Sequence, residues 1–326
     1  MTKKRLFMNA ALFVSLFAWG VSFYSCEKDD AYNPKRKISK IYADVKHSTI
    51  EWDEDDMPTV TETFRPKQLI QSWTWDNDKL SKVDFYDTED ENGQSQEPTN
   101  TSSFFYDNNK LVKIEKSDGA YSNILYDGDI LDKIESYYDT QLLQTVTFSY
   151  DKKKISKIHI VIPISDDKKM KRELLSTLST FIPKEVVSIM AKKGIAKSSG
   201  ETALDIYYTY KGDNISKMVC EAKENGLLFN NLKLTVNYLS YDTKHNPFYK
   251  KLGTDVNIES STEMAVVQPK NNPLEVKMLL EGDLFGIIPQ AITAKYSYTY
   301  DKGFPTVVEV KVNDYSDVLK QYYEYK

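Results

Sequence analysis

The side chains able to do chemistry are scattered in this sequence. His47, His159 and His245 are the only histidines. No two of them have metal-ligand spacing, and HExxH is absent. No GxSxG elbow, P-loop or GxGxxG occurs. Cys220, in KMVCEA, reads as a small strand residue with no base assigned beside it. Acidic runs stand at EWDEDD (51–56) and DTEDENG (87–93). The second alternates Asp87, Glu89 and Glu91 as a calcium loop does. Asn92 occupies the place that needs Gly, and the closing Glu is missing. Both runs read as solvated loops. Carboxylates are numerous enough that a glycosidase-type acid pair stands as the enzyme alternative. No catalytic, cofactor-binding or metal residue is assigned, and no cofactor is implied.

Cys26 is the exception. Lys3-Lys4-Arg5 is followed by an apolar run, Leu6 to Tyr24, and then by Ser25-Cys26-Glu27-Lys28-Asp29-Asp30. A basic start and an apolar run make a secretory signal. No positive stop-transfer cluster follows, which argues against a membrane-spanning anchor. The segment resembles a bacterial lipoprotein processing site, with Phe23 where Leu is usual. That resemblance implies cleavage before Cys26 and lipid on its thiol. The acidic CEKDD tail resembles the signal that sends Bacteroidetes lipoproteins to the outer face of the outer membrane. Residues 1–25 are then the signal peptide and 26–37 the lipidated cysteine with its tether. Removing Lys3, Lys4 and Arg5 from 43 basic residues leaves 40 against 48 acidic ones, a net −8. Nucleic acid is not an implied partner of so acidic a chain. The membrane is one, through the N-terminal lipid.

What remains, 38–326, must be built from strands. It carries 23 Tyr, 14 Phe and 4 Trp, types that cover a pleated sheet well. One phrase recurs: WDNDKLSKV (75–83), YDNNKLVKI (106–114), YDGDILDKI (126–134), YDKKKISKI (150–158) and YKGDNISKM (210–218). Weaker copies stand at 241 (YDTKHNPFYK) and 300 (YDKGFPTVVEV). Before the phrase, VTFSY (146–150) and ITAKYSYTY (292–300) alternate with period two, one face apolar. The Asp begins a turn, because its carboxylate accepts bonds from NH groups two residues on. A hairpin loop of three to five residues is expected. Ile155 and Ile158, three apart, would face opposite ways in a regular strand. Either Ile155 sits on the turn exit or a bulge intervenes.

The first four copies start 31, 20 and 24 residues apart, room for two strands of about ten residues each. Consecutive hairpins with one apolar face form an antiparallel meander that curls, into an open or closed barrel, to bury that face. The Lys-rich return strands oppose a lipid-facing wall, so the apolar faces are expected inward. Residues 166–199 break the pattern. Met170, Leu174, Leu175, Leu178 and Phe181 fall at helical spacing, with Pro183 as a break. This helical insertion is expected to cap an open end of the sheet.

The phrases resemble the YD repeats of RHS-type proteins, without the Gly that usually precedes the Leu. Together with Cys26, and with Tyr241-Asp242 followed by Asn246-Pro247-Phe248, they resemble an uncharacterised Bacteroidetes cell-envelope lipoprotein family with a porin-like β domain. That resemblance implies an outer-membrane location with surface exposure, and no assigned reaction. The expectation is a binding protein for a glycan, a peptide or an envelope partner. A carboxylate-pair hydrolase and a carrier of an apolar ligand inside the barrel are the alternatives.

Overall fold

The computed structural model describes residues 33–52, 58–87, 97–164, 200–223, 233–249, 267–281, 290–312 and 318–326. Sixteen antiparallel strands follow one another and close into a barrel, β16 pairing with β1. They are β1 (Ile38–Trp52), β2 (Pro58–Asp76), β3 (Lys79–Phe85), β4 (Asn100–Asp107), β5 (Lys110–Lys116), β6 (Ala120–Asp127), β7 (Ile130–Tyr138) and β8 (Gln141–Asp151). Then come β9 (Lys154–Ile164), β10 (Gly200–Lys211), β11 (Asn214–Lys223), β12 (Lys233–His245), β13 (Asn271–Glu281), β14 (Gln290–Asp301), β15 (Phe304–Val312) and β16 (Val318–Tyr325). The meander is therefore closed, and each phrase is a hairpin corner at one rim. The expected helices at 166–199 lie outside the described residues, as does Cys26.

The corners are tighter than the sequence reading has them. Asp76 pairs with Lys79, Asp107 with Lys110, Asp127 with Ile130 and Asp151 with Lys154, so each loop has two residues. Asn77-Asp78, Asn108-Asn109, Lys152-Lys153 and Lys302-Gly303 carry positive φ at both positions, as type I′ turns demand. Gly128 and Gly212 open their turns with positive φ. This twist matches that of the strands, so three to five residues are not needed.

The spacing of Ile155 and Ile158 is a bulge. Ser149 pairs with Lys157 and Tyr150 with Ile155, which leaves Ser156 over. Both isoleucines are then fully buried on one face. The same shift recurs at Thr74/Trp75, Phe105/Tyr106, Leu125/Tyr126, Thr209/Tyr210 and Thr299/Tyr300. Where the bulge residue is Ser or Thr, its hydroxyl donates back to the opposite strand. Ser81 reaches Thr74 O, Ser156 reaches Ser149 O, Ser216 reaches Thr209 O and Thr306 reaches Thr299 O. The phrase is thus a two-residue turn plus a bulge, and its last two letters are one residue out and one in. Lys82, Lys113, Lys133, Lys157 and Lys217 point outward, while Val83, Ile114, Ile134, Ile158 and Met218 are buried inside.

An aromatic ring system joins the hairpins. The side chain of each even strand donates to a backbone carbonyl of the hairpin before it. Trp75 reaches Ile38 O, Tyr106 reaches Leu80 O, Tyr126 reaches Leu111 O and Tyr150 reaches Leu131 O. Tyr210 reaches Ile155 O, Tyr241 reaches Ile215 O, Tyr298 reaches Pro273 O and Tyr325 reaches Pro305 O. These eight bonds measure 2.5 to 3.0 Å. The acceptor is the residue just before the bulge, where the ladder is interrupted and a carbonyl needs a partner.

The seam is one more copy of the phrase, split between the chain's two ends. Ile38 pairs with Tyr325 and Lys40 with Glu324, leaving Ser39 as the bulge. Lys37-Ile38-Ser39-Lys40-Ile41 repeats the letters of Lys154 to Ile158. Eight hairpin corners, one of them divided, make sixteen strands.

The inward face is apolar toward the hairpin rim and polar farther along the strands, where Gln71, Lys116, Ser122, Ser136, Gln144 and Gln321 are buried, and the outward face is charged. Phe104, Ile124, Phe148, Ile160, Ile206, Val236, Met278 and Val310 belong to one buried cluster. The wall carries ion pairs, among them Lys113–Glu115, Lys133–Glu135, Lys233–Glu221 and Lys320–Glu309. A membrane barrel has the reverse pattern. Each Lys facing the bilayer midplane costs about 2–4 kcal/mol, so this wall is not built to face lipid.

Three outcomes test this account. Lys153, at φ 66, sits where an L side chain is strained, so Lys153→Gly relieves about 1 kcal/mol and raises the melting temperature by about 2 °C. Tyr150→Phe leaves the Leu131 carbonyl without its donor and costs about 1–2 kcal/mol, read as a lower denaturation midpoint. Burial raises the hydroxyl pKa of Tyr208, Tyr238, Tyr296, Tyr298 and Tyr323 above 10.0. Stability is then full below pH 10, the unfolded value, and falls as pH rises from there toward the raised folded values. In an alkaline titration these tyrosines ionise together with loss of far-UV structure, not ahead of it.

Candidate functional site

The rim formed by the hairpin corners is the most elaborated part of the molecule. At three corners the lysine opening the return strand reaches across to the next hairpin. Lys110 donates to Gly128 O and the Asp129 carboxylate, and Lys154 to Gly212 O and Asp213. Lys37 pairs with Asp78 at 2.5 Å. The same cations cover the neighbouring aromatic: Lys110 over Tyr126 and Lys154 over Tyr210, each 5.3 Å from the centroid, and Lys37 over Trp75 at 5.8 Å. Each such contact contributes about 0.5–1 kcal/mol at an exposed site. Lys270 and Lys154 together hold the Asp213 carboxyl below the usual carboxylate range. The interleaved Lys and Asp residues are thus matched between repeats.

One corner differs. Between β12 and β13 the two-residue turn is replaced by residues 246–270. Tyr241 keeps its carbonyl bond, and Asp242 becomes the clamp of the insertion's neck. Its carboxylate accepts from Lys244 N at 2.9 Å, two residues on as an Asp-led turn requires. It also accepts from Asn272 N and Nδ2, and from the Tyr300 hydroxyl. Asn246 is buried. Its Oδ1 accepts from Phe248 N, and its Nδ2 donates to Pro269 O.

This neck turns inward. Sixteen strands at about 4.8 Å spacing enclose a bore at least about 24 Å wide, too wide for facing side chains to bridge. Phe248 lies 6.2 Å from Trp73 on β2 and 5.7 Å from Tyr323 on β16. Val267 N takes a bond from the Tyr208 hydroxyl on β10. In the ring order β10 stands eight strands from β2. The insertion's two described ends therefore reach opposite walls, and Phe248 and Val267 are both buried. The described ends of this connection thus put Phe248 and Val267 inside the barrel, a placement that sequence periodicity did not single out.

The histidines stay apart. His245 stacks on Phe304 at the rim. His159 Nδ1 lies 2.6 Å from the Asp205 carboxylate on the outer wall, beside Tyr207 Oη at 2.9 Å and Lys157 Nζ at 3.1 Å. Asp205 is fully buried although it faces outward. The cross-strand register brings this cluster together, His159 opposite Asp205 and Lys157 opposite Tyr207. A polar residue between Leu204 and Ile206 was its one sequence signal. Cys220 is buried, and burial pushes its thiol up to about 12, which suppresses the thiolate a nucleophile needs. Among the described residues no three His, Cys, Asp or Glu side chains gather as a metal site. Trp73 and Trp75 share the inner face, 6.2 Å apart, and Tyr296 lies there buried with Ala294. These rings belong to the core.

No family model and no curated protein matches the chain. Among solved structures it is similar to a porin-like protein from Bacteroides vulgatus, with 8% identity over 90% of this chain and 99% of that one, at a TM-score of 0.45. It is also similar to part of TcdB2-TccC3-TEV, with 11% identity and a TM-score of 0.27. That likeness covers 84% of this chain and 15% of the other.

Proposed function

We propose that this chain is a lipid-anchored protein of the cell envelope, held at the outer membrane through Cys26, which works by binding and not by turnover. The observation that carries the reading is the polarity of the barrel wall: ion-paired on its outer face, with the apolar cluster turned inward. A wall of that kind stands beside a bilayer, so the attachment falls to the N-terminus, where the leader and Ser25-Cys26 supply it. The acidic residues after Cys26 support the outer face as its location. The partner class is a glycan, a peptide or an envelope protein. The sealed Cys220 and the separate histidines leave turnover without a supporting observation.

Two measurements test this. Metabolic labelling with a fatty-acid analogue is expected to mark the wild type and not Cys26→Ala; equal labelling of both refutes the anchor. A protease site placed at residues 28–33 is expected to release the folded barrel from washed membranes upon cleavage. A barrel that stays in the membrane pellet after complete cleavage refutes the non-spanning reading.

A further inference from the structure

Two strands outgrow the wall. Among the described residues β1 pairs with β16 only from Ile38 to Ala43, and β2 with β3 only from Gln71 to Asp76. Past those points the ladder runs between β1 and β2 alone, Val45–Trp52 against Pro58–Arg65. These are eight residues a side, which at about 3.3 Å each reach about 26 Å. The outer part of β1 and β2 is therefore a two-stranded arm with no third described strand beside it. A ribbon of two strands is marginal by itself in water, and a pliant base would let it swing.

The base of the arm contains two bulges. Ile41 pairs with Gln71 and Tyr42 with Leu69, which leaves Ile70 over. Ala43 pairs with Gln68 and Val45 with Arg65, which sets Asp44 alone against Pro66-Lys67. Each bulge bends its strand and adds twist. At the second, Lys67 stands at φ 49, a left-handed conformation in which glycine is usual. Lysine is strained there, but both its amide and its ammonium are engaged. The amide donates to Asp44 Oδ1 at 2.9 Å. The ammonium lies 5.1 Å from the Tyr42 centroid and 5.8 Å from the Tyr322 centroid, rings that stand opposite one another on β1 and β16. The Tyr322 hydroxyl donates to the same Asp44 Oδ1 at 3.2 Å, and the Tyr42 hydroxyl to Glu324 at 3.3 Å. Asp44, Lys67, Tyr42 and Tyr322 thus close a knot over three strands at the point where the arm leaves the barrel.

We infer that this knot is a lock that fixes the angle of the arm on the barrel, and that its release turns a rigid projection into a hinged one. The two tendencies meet in one residue. The left-handed backbone of Lys67 favours release, and its contacts with Asp44 and the two rings oppose it. Glycine at this position would relieve the strain and remove the cation together, so the lysine is what makes the base stiff.

The test measures the distance between nitroxide labels at Thr49→Cys on the arm and Thr140→Cys on the exposed β7–β8 turn, by pulsed electron resonance. It uses the full chain in detergent with Cys26→Ala; Cys220 is buried and leaves the background low. With Lys67 in place a single narrow distance distribution is expected. Lys67→Gly is expected to widen it at least about twofold, with near-UV circular dichroism unchanged. Lys67→Arg keeps a cation over the rings and is expected to keep the narrow distribution. Tyr322→Phe, which removes only the bond to Asp44, is expected to widen it less than Lys67→Gly does. An unchanged width in Lys67→Gly overturns the inference, because the bulges alone then set the angle. A broad distribution with Lys67 in place overturns it too, because nothing is then locked. Should Lys67→Gly lose the near-UV signal, Tyr322→Phe decides by the same widening or its absence.

Discussion

The bond from a rim aromatic to the carbonyl before the neighbouring bulge is the contact on which this architecture depends. A bulge lets Ile155 and Ile158 share the core face, but it breaks the ladder beside them. An interior carbonyl left without a donor costs about 1–3 kcal/mol. Eight such losses would be comparable with the whole stability of a domain, about 5–15 kcal/mol. Tyr106, Tyr150 and their equivalents offset each loss from the next hairpin. The device that orients one corner therefore ties it to another, and seven of the 23 tyrosines serve it.

The alternation in VTFSY and ITAKYSYTY and the recurring phrase made the meander legible before any coordinates. The bulge was legible only as a conflict, three residues between two apolar positions, because strand periodicity cannot say which residue is left unpaired. Turn length was misread because Lys152-Lys153 lacks the glycine that advertises a positive-φ turn, although Asn77-Asp78 and Asn108-Asn109 carry that signal. The seam was hidden for another reason. KISKI at 37–41 lacks its aromatic and turn, which arrive only when Tyr325 folds back beside Ile38. The His159–Asp205 contact and the plug at Phe248 depend on cross-strand register and on a bore width that no local pattern encodes.

Bore width explains why one corner is unlike the rest. A ring of eight equivalent hairpins encloses more space than its inward side chains can fill. The described ends of the β12–β13 connection put Phe248 and Val267 inside while Tyr241 and Asp242 keep their places. Asn246 and Asn272 supply the polar bonds that let an irregular backbone pass inside, where an unpaired amide or carbonyl would be costly. The repeat is conserved in geometry at this corner while its sequence is given over to filling.

Closure by a divided phrase also fixes where the ends of the described chain meet. Both ends of the described chain meet at the hairpin rim because the last aromatic and the first bulge are halves of one unit. The connections β1–β2, β3–β4, β9–β10 and β13–β14 emerge at the other end, while the insertion between β12 and β13 belongs to the rim. The two ends of the described chain thus share the rim with the cation-capped corners. The asymmetry follows from an even number of strands and a split repeat.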